Sequence, residues 1–400
     1  MPSSGRKLRL RVLQAHNRYR LPGGEDTVVE NERLLLEEGG HAVAQHIVFN
    51  DDVDPAGLGA RIVAARDVVW NRASAAALVR AIKDFRPDVV HVHNTFAKLS
   101  PLAIRATREA GIPVVVTLHN YRLVCANGLL LRCGAPCTAC VDGGRFNGIL
   151  HRCYRGQLAA TIAISAASPV HCLLGTYTGR GIRVIALSQF ARRLFAKAGL
   201  DENVMVVKPN FAFAQPAPQA GERQNRVVFV GRLAQEKGVD LIVEAWRVAR
   251  PAGWELFVVG DGPMRNDLEK RFPEVSFFGW RPASEVRELM AKSRFLVMGS
   301  RCFEGLPMVL GEAFSVGTPA IVPNIGAMAE YVDDGLSGTH FSAGSSGALA
   351  EVLARMGTLE PQAWRALSQG ALQRYETTFS PSANLALLED IYRSVINDAF

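Results

Sequence analysis

The sequence alternates strand-like and helix-like segments from end to end, and it starts afresh after a Pro- and Gly-containing stretch at 212–225. Such alternation is typical of parallel sheets whose strands are joined by crossover helices. At 400 residues the chain is also too long for one ordinary core. The sequence therefore predicts two Rossmann-like, doubly wound α/β domains, with 212–225 as the linker between them.

The predicted strands are short runs rich in β-branched residues. They are 8–15, 88–93, 113–119, 183–187 and 204–208 in the first half, and 226–230, 255–259, 275–278, 295–298 and 320–322 in the second. The clearest predicted helix covers 27–38, where apolar residues recur at helical spacing before two glycines.

Net charge divides the chain at the same place. Residues 1–210 hold 27 Lys and Arg against 16 Asp and Glu, a net +11, whereas 211–400 hold 18 against 22, a net −4. A basic half suits nucleic acid, an anionic membrane surface or a phosphorylated substrate, and charge alone leaves these open, as it does a merely solvated face. We expect domains at 1–210 and 211–380, with 381–400 forming a helix that returns to the first domain.

Neither membrane insertion nor secretion is indicated. The uncharged run 156–179 contains Pro169 and His171, which makes it poor material for a membrane span. The first five residues lead into a charged segment rather than an apolar signal core. We therefore expect a cytoplasmic protein.

A glycine-bearing turn, Pro22-Gly23-Gly24-Glu25, precedes the first predicted helix. Glycines there let backbone N–H groups approach an anion at the positive end of the helix. The turn lacks the spacing of the dinucleotide-binding fingerprint. A phosphate site and a purely structural turn both remain open.

Two cations follow the first strand of the second half. Arg232 and Lys237 lie just beyond the carboxyl end of that strand, where sheets of this class bind ligands. A guanidinium fork and a compact ammonium together suit a diphosphate. The alternative is a pair of solvated cations in a loop.

Two glutamates eight residues apart extend this interpretation. Pro307 predicts that Glu304 lies in a loop and that Glu312 lies inside a helix begun at the proline. The loop carboxylate could then reach a sugar hydroxyl and the helix carboxylate a ribose hydroxyl. The first N–H groups of the helix, at Met308 and Val309, could meet the phosphates between them.

In their order and separations, these motifs resemble a family 4 glycosyltransferase of the GT-B fold, which has two facing Rossmann-like domains and a cleft between them. The matching marks are Gly23 and Gly24, His119 after a hydrophobic strand, Lys208-Pro209-Asn210, Gly231-Arg232, Lys237-Gly238, Gly260-Asp261-Gly262, Glu304 and Glu312. The stretch 120–125, with the cysteines near it, further resembles the branch found in bacterial exopolysaccharide and lipid-linked glycan assembly.

The resemblance implies a retaining enzyme that moves a hexosyl unit from a UDP- or GDP-sugar to a glycan or polyprenyl-diphosphate-linked acceptor. By this resemblance, Arg232 and Lys237 would neutralise the departing diphosphate. Glu304 would bind hydroxyl groups of the donor sugar, and His119 would lie near the sugar. Glu312 would hold the ribose. Further substrate-binding residues implied by the same motifs are Gly23, Gly24, Glu25, Asn210, Gly231, Asp261, Gly262, Gly305, Leu306, Pro307, Met308 and Val309.

The family is thought to use front-face displacement, so no covalent nucleophile is expected. Its members dispense with a metal-binding D-x-D site because protein cations neutralise the diphosphate, so no catalytic divalent metal is expected. Two alternatives stay open: a sugar-nucleotide epimerase of the same fold, and a catalytically silent nucleotide-sugar-binding or nucleic-acid-binding protein. The paired glutamates weigh against the epimerase. The presence of all four charged residues, Arg232, Lys237, Glu304 and Glu312, weighs against a catalytically silent protein. The sequence shows no RNA- or DNA-recognition motif, so no nucleic-acid partner is expected.

The chain departs from the family pattern in two places. It has Gly299-Ser300-Arg301-Cys302-Phe303 where Pro-Ser usually precedes the Glu-Gly, and it has Gly311 before the helix glutamate. A glycine inside a helix costs about 0.5–1 kcal/mol relative to alanine, so we expect close packing at Gly311.

Cysteines cluster in a predicted insertion at about 121–155. Four thiolates suit tetrahedral zinc, and a cytoplasmic setting favours metal over disulfides. We predict a structural zinc site, with buried or redox-inert thiols as the alternative. The predicted ligands are Cys125, Cys137, Cys140 and Cys153, with Cys133 as the alternative to Cys125.

The segment 145–183 mixes an apolar middle with arginines. In the GT-B fold the N-terminal domain binds the acceptor, so this segment is expected to approach an anionic membrane surface or a lipid diphosphate. That would make the protein peripheral on the inner face of the cytoplasmic membrane. A buried helix with a basic rim is the alternative.

Overall fold

The structure is a computed structural model that describes residues 9–19, 23–50, 57–213 and 223–399. These residues fall into two compact units. The first comprises the chain up to Gly128, Thr138–Lys208 and the chain from Leu385 onward; the second comprises Leu129–Cys137 and Pro209–Asn384. Pro216, Pro218 and Gly221 of the predicted linker, and the first five residues, lie outside the described ranges.

The elements follow one another in the predicted α/β alternation. Up to residue 207 the strands are β1 Arg11–Arg18, β2 Ala42–Phe49, β3 Val89–Asn94, β4 Val114–Leu118, β5 Leu131–Arg132, β6 Ala135–Pro136, β7 Ile182–Ala186 and β8 Met205–Val207. The helices over the same stretch are α1 Gly24–Glu38, α2 Leu58–Val69, α3 Arg72–Phe85, α4 Leu102–Glu109, α5 Ala139–Asp142, α6 Phe146–Leu150, α7 Leu158–Leu173 and α8 Gln189–Lys197.

The alternation resumes at residue 224. The strands are β9 Gln224–Val230, β10 Glu255–Val259, β11 Ser276–Gly279, β12 Ser293–Val297, β13 Ala320–Pro323 and β14 Gly338–Phe341. The helices are α9 Val239–Ala249, α10 Arg265–Arg271, α11 Ala283–Lys292, α12 Met308–Ser315, α13 Gly326–Tyr331, α14 Ser346–Gly357, α15 Pro361–Arg374 and α16 Pro381–Ala399.

Each unit is built on a parallel six-stranded sheet. The order is β2-β1-β3-β4-β7-β8 in the first unit and β11-β10-β9-β12-β13-β14 in the second. The direction of winding reverses between β1 and β3 in the first sheet and between β9 and β12 in the second. Ligands of doubly wound sheets bind at the carboxyl ends of the strands at such a switch point. The loops after these four strands are therefore the places to look for a site.

Helix α16 contributes to the core of the first unit. Leu388, Ile391, Tyr392 and Val395 are buried there with Val12, Val89 and other residues of the sheet. Fully burying one large apolar side chain is worth about 1.5–3 kcal/mol, so this apolar face holds the end of the chain on the sheet.

Some elements differ from the sequence-based expectations. Strands β2 and β14 were not predicted; β2 lies at a sheet edge and its side chains are only half-buried, so it lacks the clear apolar pattern of a central strand. The hairpin β5–β6, part of the insertion that the sequence places in the first domain, groups with the second unit. None of the described helices combines the length and the hydropathy of a membrane span.

Candidate functional site

In the second unit, two loops at the switch point meet backbone to backbone. Gly238 follows the turn that carries Lys237 and adopts a left-handed φ of 62°. A Cβ atom at this position would lie 1.9 Å from the carbonyl oxygen of Gly299, in the loop after β12. Only glycine allows this approach, so the two loops can come this close because residue 238 has no side chain.

The close approach brings Lys237 and Glu304 into contact. Lys237 Nζ lies 2.8 Å from Glu304 Oε1 and 3.0 Å from Oε2, and Ser300 donates a hydrogen bond of 2.7 Å to Oε1. Burial alone would lower the pKa of Lys237, but the Glu304 carboxylate outweighs it and raises that pKa. Lys237 is therefore a cation over the whole physiological range.

Neighbouring contacts fix the rest of this loop pair. Arg301 donates to Asp240 Oδ2 over 2.7 Å, and its backbone N–H donates to the carbonyl of Glu236 over 2.9 Å. Arg232 pairs with Glu236, and its side chain is 57 % exposed. The guanidinium is thus accessible to a ligand, whereas Lys237 is held in place by the carboxylate.

The Gly231 and Asp261 motifs pack against each other beside these cations. The Gly231 N–H donates to the Val259 carbonyl over 3.0 Å, and the Leu233 N–H donates to that of Asp261 over 2.9 Å. A Cβ atom at Gly262 would lie 2.5 Å from the Leu233 carbonyl oxygen. The exposed Asp261 side chain accepts from the Gly262 N–H over 2.7 Å and so shapes its own turn.

Helix α12 begins where the sequence predicted, directly after Pro307, so Glu304 lies in the preceding loop and Glu312 within the helix. Met308 and Val309 form its first turn, where backbone N–H groups have no intrahelical partners. Gly305 and Leu306 complete the loop.

Asn210 supports the loop before α12 by donating to the Leu306 carbonyl over 3.0 Å. Burial raises the pKa of Glu312, which Arg287 only partly offsets. The expectation of close packing at Gly311 was wrong, since a Cβ atom there would meet its nearest neighbour, Phe379, at an ordinary 3.5 Å.

In the first unit, the Gly-Gly turn begins helix α1. The Gly23 N–H donates to Asp26 Oδ2 over 2.7 Å, and Gly24 is the first helical residue. Glu25 accepts hydrogen bonds from Asn94 at 3.1 Å and Asn120 at 3.4 Å, two amides from the ends of neighbouring strands. Burial, with the nearby Asp26 charge, raises the pKa of Glu25 to about 7.

Replacing Glu25 with glutamine is expected to stabilise the protein at alkaline pH but not in acid. Because the folded-state pKa is raised from 4.5 to about 7, the favourable contribution of Glu25 is complete below 4.5 and is lost as pH rises through 7. Glutamine stays neutral, so at pH 8 we expect a gain of about 1–3 kcal/mol in the free energy of unfolding.

Thermal melts of both proteins between pH 5 and pH 8 measure this difference. Glu38→Gln changes an exposed glutamate at the other end of α1 and serves as the matched control. A gain of equal size at both ends of the pH range would contradict the assignment of the raised pKa to Glu25.

His119 follows β4 and lines a cavity of about 90 Å³ in the first unit, together with His93, Asn94, Asn120 and Arg122 among others. Its Nε2 lies 3.1 Å from His93 Nδ1, and the two rings are stacked. Burial lowers the pKa of His119 to about 3, so the ring is neutral at physiological pH. His119 can therefore exchange hydrogen bonds with a sugar but cannot act as an acid.

Sequence reasoning named Lys208 only as part of a motif and missed the other polar groups behind His119. Glu32, His91, His93 and Lys208 are all almost completely buried in the first unit. Residues two apart on a strand point to the same face, so His91 and His93 in an otherwise apolar strand were the available signal.

The predicted zinc ligands do not assemble. The cysteines, all of which lie in the described ranges, form no disulfide, and no three of them bring their sulfur atoms within 4.8 Å of one another. Cys125 instead donates to Asn127 over 3.0 Å. The thiols as placed do not fit tetrahedral zinc, and zinc content stays a prediction that metal analysis of the purified protein can check.

Two protein-family models match the chain. The model described as "Glycosyl transferase 4-like domain" matches residues 23–210, and the model described as "Glycosyl transferases group 1" matches residues 224–358. Glu25, Lys237 and Glu304 fall within these matched ranges.

Individual relatives agree with the family models. The chain is 38 % identical over 103 residues to the amylovoran biosynthesis glycosyltransferase AmsD of Erwinia amylovora, covering 25 % of this chain and only 29 % of that protein. It is 25 % identical over 344 residues to the putative teichuronic acid biosynthesis glycosyltransferase TuaC of Bacillus subtilis, covering 81 % and 76 %.

A solved structure shows the same fold. Anabaena HepE in complex with UDP and glucose superposes with a TM-score of 0.65 at 17 % identity, covering 96 % of this chain and 100 % of that chain. The predicted GT-B class is thereby confirmed. Since the two family models together match most of its length, the chain belongs to the family 4 glycosyltransferases.

Proposed function

We propose that the chain is a retaining glycosyltransferase that moves a hexosyl unit from a UDP- or GDP-sugar to a glycan or polyprenyl-diphosphate-linked acceptor in polysaccharide biosynthesis. The observation that carries the proposal is the Lys237–Glu304 pair, held beside Arg232 at the switch point of the second sheet. This arrangement brings two cations and a carboxylate to the edge where doubly wound sheets bind nucleotides, which supports the proposal.

The donor's diphosphate would lie against Arg232, Lys237 and the first turn of α12. Negative charge builds up on the diphosphate as the glycosidic bond breaks, so fixed cations stabilise the transition state more than the ground state. Glu304 would turn its oxygens to donor-sugar hydroxyls, and Glu312 would bind the ribose.

The proposed transfer takes place on one face of the sugar. The acceptor oxygen forms a bond to the anomeric carbon as the bond from that carbon to the diphosphate breaks. The electron pair of the broken bond goes to the diphosphate oxygen, which takes up the acceptor's proton. Configuration is retained, and no covalent enzyme intermediate and no catalytic metal take part.

An apolar groove in the first unit supports an amphiphilic acceptor. The groove has a volume of about 240 Å³ and lies between α2 and α7. Small side chains line it, namely Ala64, Ala65, Ala159, Ala160 and Ala163, with Arg61 and Arg155 also in its wall. It shares Val68, Phe96 and Ile164 with the cavity that His119 lines.

Exposed apolar side chains surround this groove. They include Ile62 on α2 and Leu158 and Ile162 on α7. Apolar surface next to arginines is suited to a lipid chain with its phosphate. We infer that the acceptor's lipid enters here and that the protein works at the inner, anionic face of the cytoplasmic membrane.

The proposal is tested first by a donor screen. UDP, GDP and their sugars are added singly, and the melting temperature is followed. A nucleotide present at 100 times its Kd should raise the free energy of unfolding by about 2.7 kcal/mol. Turnover is then measured with a lipid-linked glycan in vesicles containing anionic lipid and with the same glycan free in solution.

The outcomes separate the candidate functions. Acceptor-dependent release of nucleoside diphosphate with an α-to-α or β-to-β product supports the retaining transferase. Isomerisation of the free donor without an acceptor would indicate the epimerase. Binding of a nucleotide sugar with no turnover on any acceptor would indicate a silent binding protein, and equal rates on free and vesicle-bound acceptor would argue against the membrane surface.

A further inference from the structure

A row of titratable side chains lies behind His119 in the interior of the first unit. Glu32 comes from α1, His91 and His93 from β3, Lys208 from the residue after β8, and Tyr392 from α16. Each of these side chains is at most 3 % exposed. Polar groups are costly to bury without partners, so the proton positions in this row are strongly constrained.

Lys208 and Glu32 fix the charged end of the row. Lys208 Nζ lies 2.7 Å from Glu32 Oε1. Burial opposes ionisation of Glu32, but the ammonium of Lys208 outweighs it and lowers the pKa of that carboxyl. Glu32 is therefore a carboxylate, which accepts hydrogen bonds and cannot donate them.

The second carboxylate oxygen of Glu32, Oε2, has one neighbouring nitrogen that has no hydrogen-bond partner within the described ranges, His93 Nε2. Glu32 Oε2 lies 3.5 Å from both His91 Nδ1 and His93 Nε2. His91 is already satisfied, because Nδ1 meets the Tyr392 hydroxyl and Nε2 meets that of Thr117, each at 2.8 Å. Among the described residues, neither Glu32 Oε2 nor His93 Nε2 has a hydrogen-bond partner, so a shift of a few tenths of an ångström would pair them.

This pairing determines which nitrogen of His119 carries the proton. Burial lowers the pKa of His93 well below its usual value, so the ring is neutral and has one N–H. Facing a carboxylate, that N–H is at Nε2, which leaves Nδ1 as an acceptor. His119 Nε2, 3.1 Å away, must then be the donor, and His119 Nδ1 keeps its lone pair.

We propose that Glu32 is a positioning residue that acts through His93 to hold His119 in its Nε2–H tautomer, so that His119 offers Nδ1 as a hydrogen-bond acceptor to a substrate hydroxyl. The assignment of a substrate to His119 rests on the proposed function, whereas the tautomer does not. Other charged or titratable groups nearby are His16 and Asp26, which bond to each other over 2.9 Å, and Arg18, which faces Asp26.

A buried cation is the competing interpretation of the same atoms. Glu32, His91 and His93 offer ligand atoms that all lie within 4.8 Å of one another. Three contacts favour the proton network: the Lys208 ammonium already neutralises the carboxylate, and each of the two nitrogens of His91 is bonded to a hydroxyl group. A second positive charge there would be repelled by Lys208.

The tautomer is measured on the full-length protein labelled with ¹⁵N-histidine. Long-range ¹H–¹⁵N spectra at neutral pH distinguish the two neutral tautomers, and the signals that vanish in His119→Asn identify the ring. We expect the Nε2–H form for His119. Finding the Nδ1–H form, or a charged ring, in the wild-type protein would overturn the proposal without any variant.

Glu32→Gln provides the sharper test. The amide oxygen would keep the bond to Lys208, and the amide NH₂ would then face His93 Nε2 and make it an acceptor. His93 and His119 should both switch tautomer, and kcat/KM for transfer should fall at least about tenfold, because His119 would offer a donor instead of an acceptor.

Glu30→Gln makes the same change on the outer side of α1, where Glu30 pairs with Arg33, and should alter neither the tautomer nor the rate. An unchanged His119 tautomer in a folded Glu32→Gln protein would refute the relay. Titration of the wild-type protein with Co²⁺ alone tests whether a cation binds at Glu32, His91 and His93. Tight binding that Glu32→Gln abolishes would overturn the proton network, whereas the lack of such binding would support it. If no transfer is found but the tautomers behave as expected, only the proposed function fails.

Discussion

Replacing Lys237 with alanine is expected to lower kcat for transfer at least about 100-fold, the usual loss when one electrostatic contact to the developing charge is removed. Lys237 is a cation held 2.8 Å from Glu304, where we propose that the departing diphosphate binds. Without it, charge on the leaving group would be stabilised by the first turn of α12 and by Arg232, whose side chain is 57 % exposed and paired with Glu236. Steady-state kinetics with a saturating nucleotide sugar measure the loss.

Two variants make this result interpretable. Lys292→Ala removes an exposed lysine of the same unit that pairs with a glutamate one helical turn away, and it should leave kcat unchanged. Lys237→Ala together with Glu304→Gln removes the carboxylate that would otherwise be left without its cation; it should restore stability but not turnover. Turnover by Lys237→Ala at the wild-type rate would show that the residue has no part in departure of the leaving group.

Replacing Gly238 with alanine is expected to destabilise the second unit by more than about 4 kcal/mol, a loss seen only when a specific structural requirement is broken. The new Cβ atom would lie 1.9 Å from the Gly299 carbonyl oxygen, and that neighbour is backbone that cannot rotate away. Relief requires the two loops to separate, which would also part Lys237 from Glu304. Urea unfolding followed by tryptophan fluorescence measures the loss.

The matched control is Gly253→Ala. Gly253 has a left-handed φ of 75°, close to the 62° of Gly238, but a Cβ atom there would meet nothing within 4 Å. Gly253→Ala should lower the free energy of unfolding by only about 1–2 kcal/mol, which is the cost of a left-handed backbone conformation for a residue with a Cβ atom. Equal losses for the two variants would mean that the contact with Gly299 contributes nothing beyond backbone conformation.

The charged loops of the second unit could be foreseen because each lies beside a strong local signal. Arg232 and Lys237 follow a buried strand, and Pro307 begins the helix that carries Glu312. Segments with weaker signals were missed: β2 is a half-buried edge strand, and the hairpin β5–β6 has strands of only two residues. The cysteine spacing suggested a shared metal, but spacing along the chain does not state how close the sulfur atoms come, and in the part of the chain that the structure describes no three of them lie within 4.8 Å of one another.

The sequence by itself determined the α/β class, the division into two sheets, and the residue types at each strand's carboxyl end, because periodicity and turn chemistry are local properties of the chain. The tertiary structure alone decided which of these residues touch. Lys237 meets Glu304 across 67 residues because two glycines let the loops approach, and Glu32 comes within 3.5 Å of His93 because α1 packs on β1, the neighbour of β3 in the sheet. Such contacts depend on how closely two backbone segments can approach and on which buried polar groups lie within hydrogen-bonding distance of one another. The order of residues along the chain specifies neither.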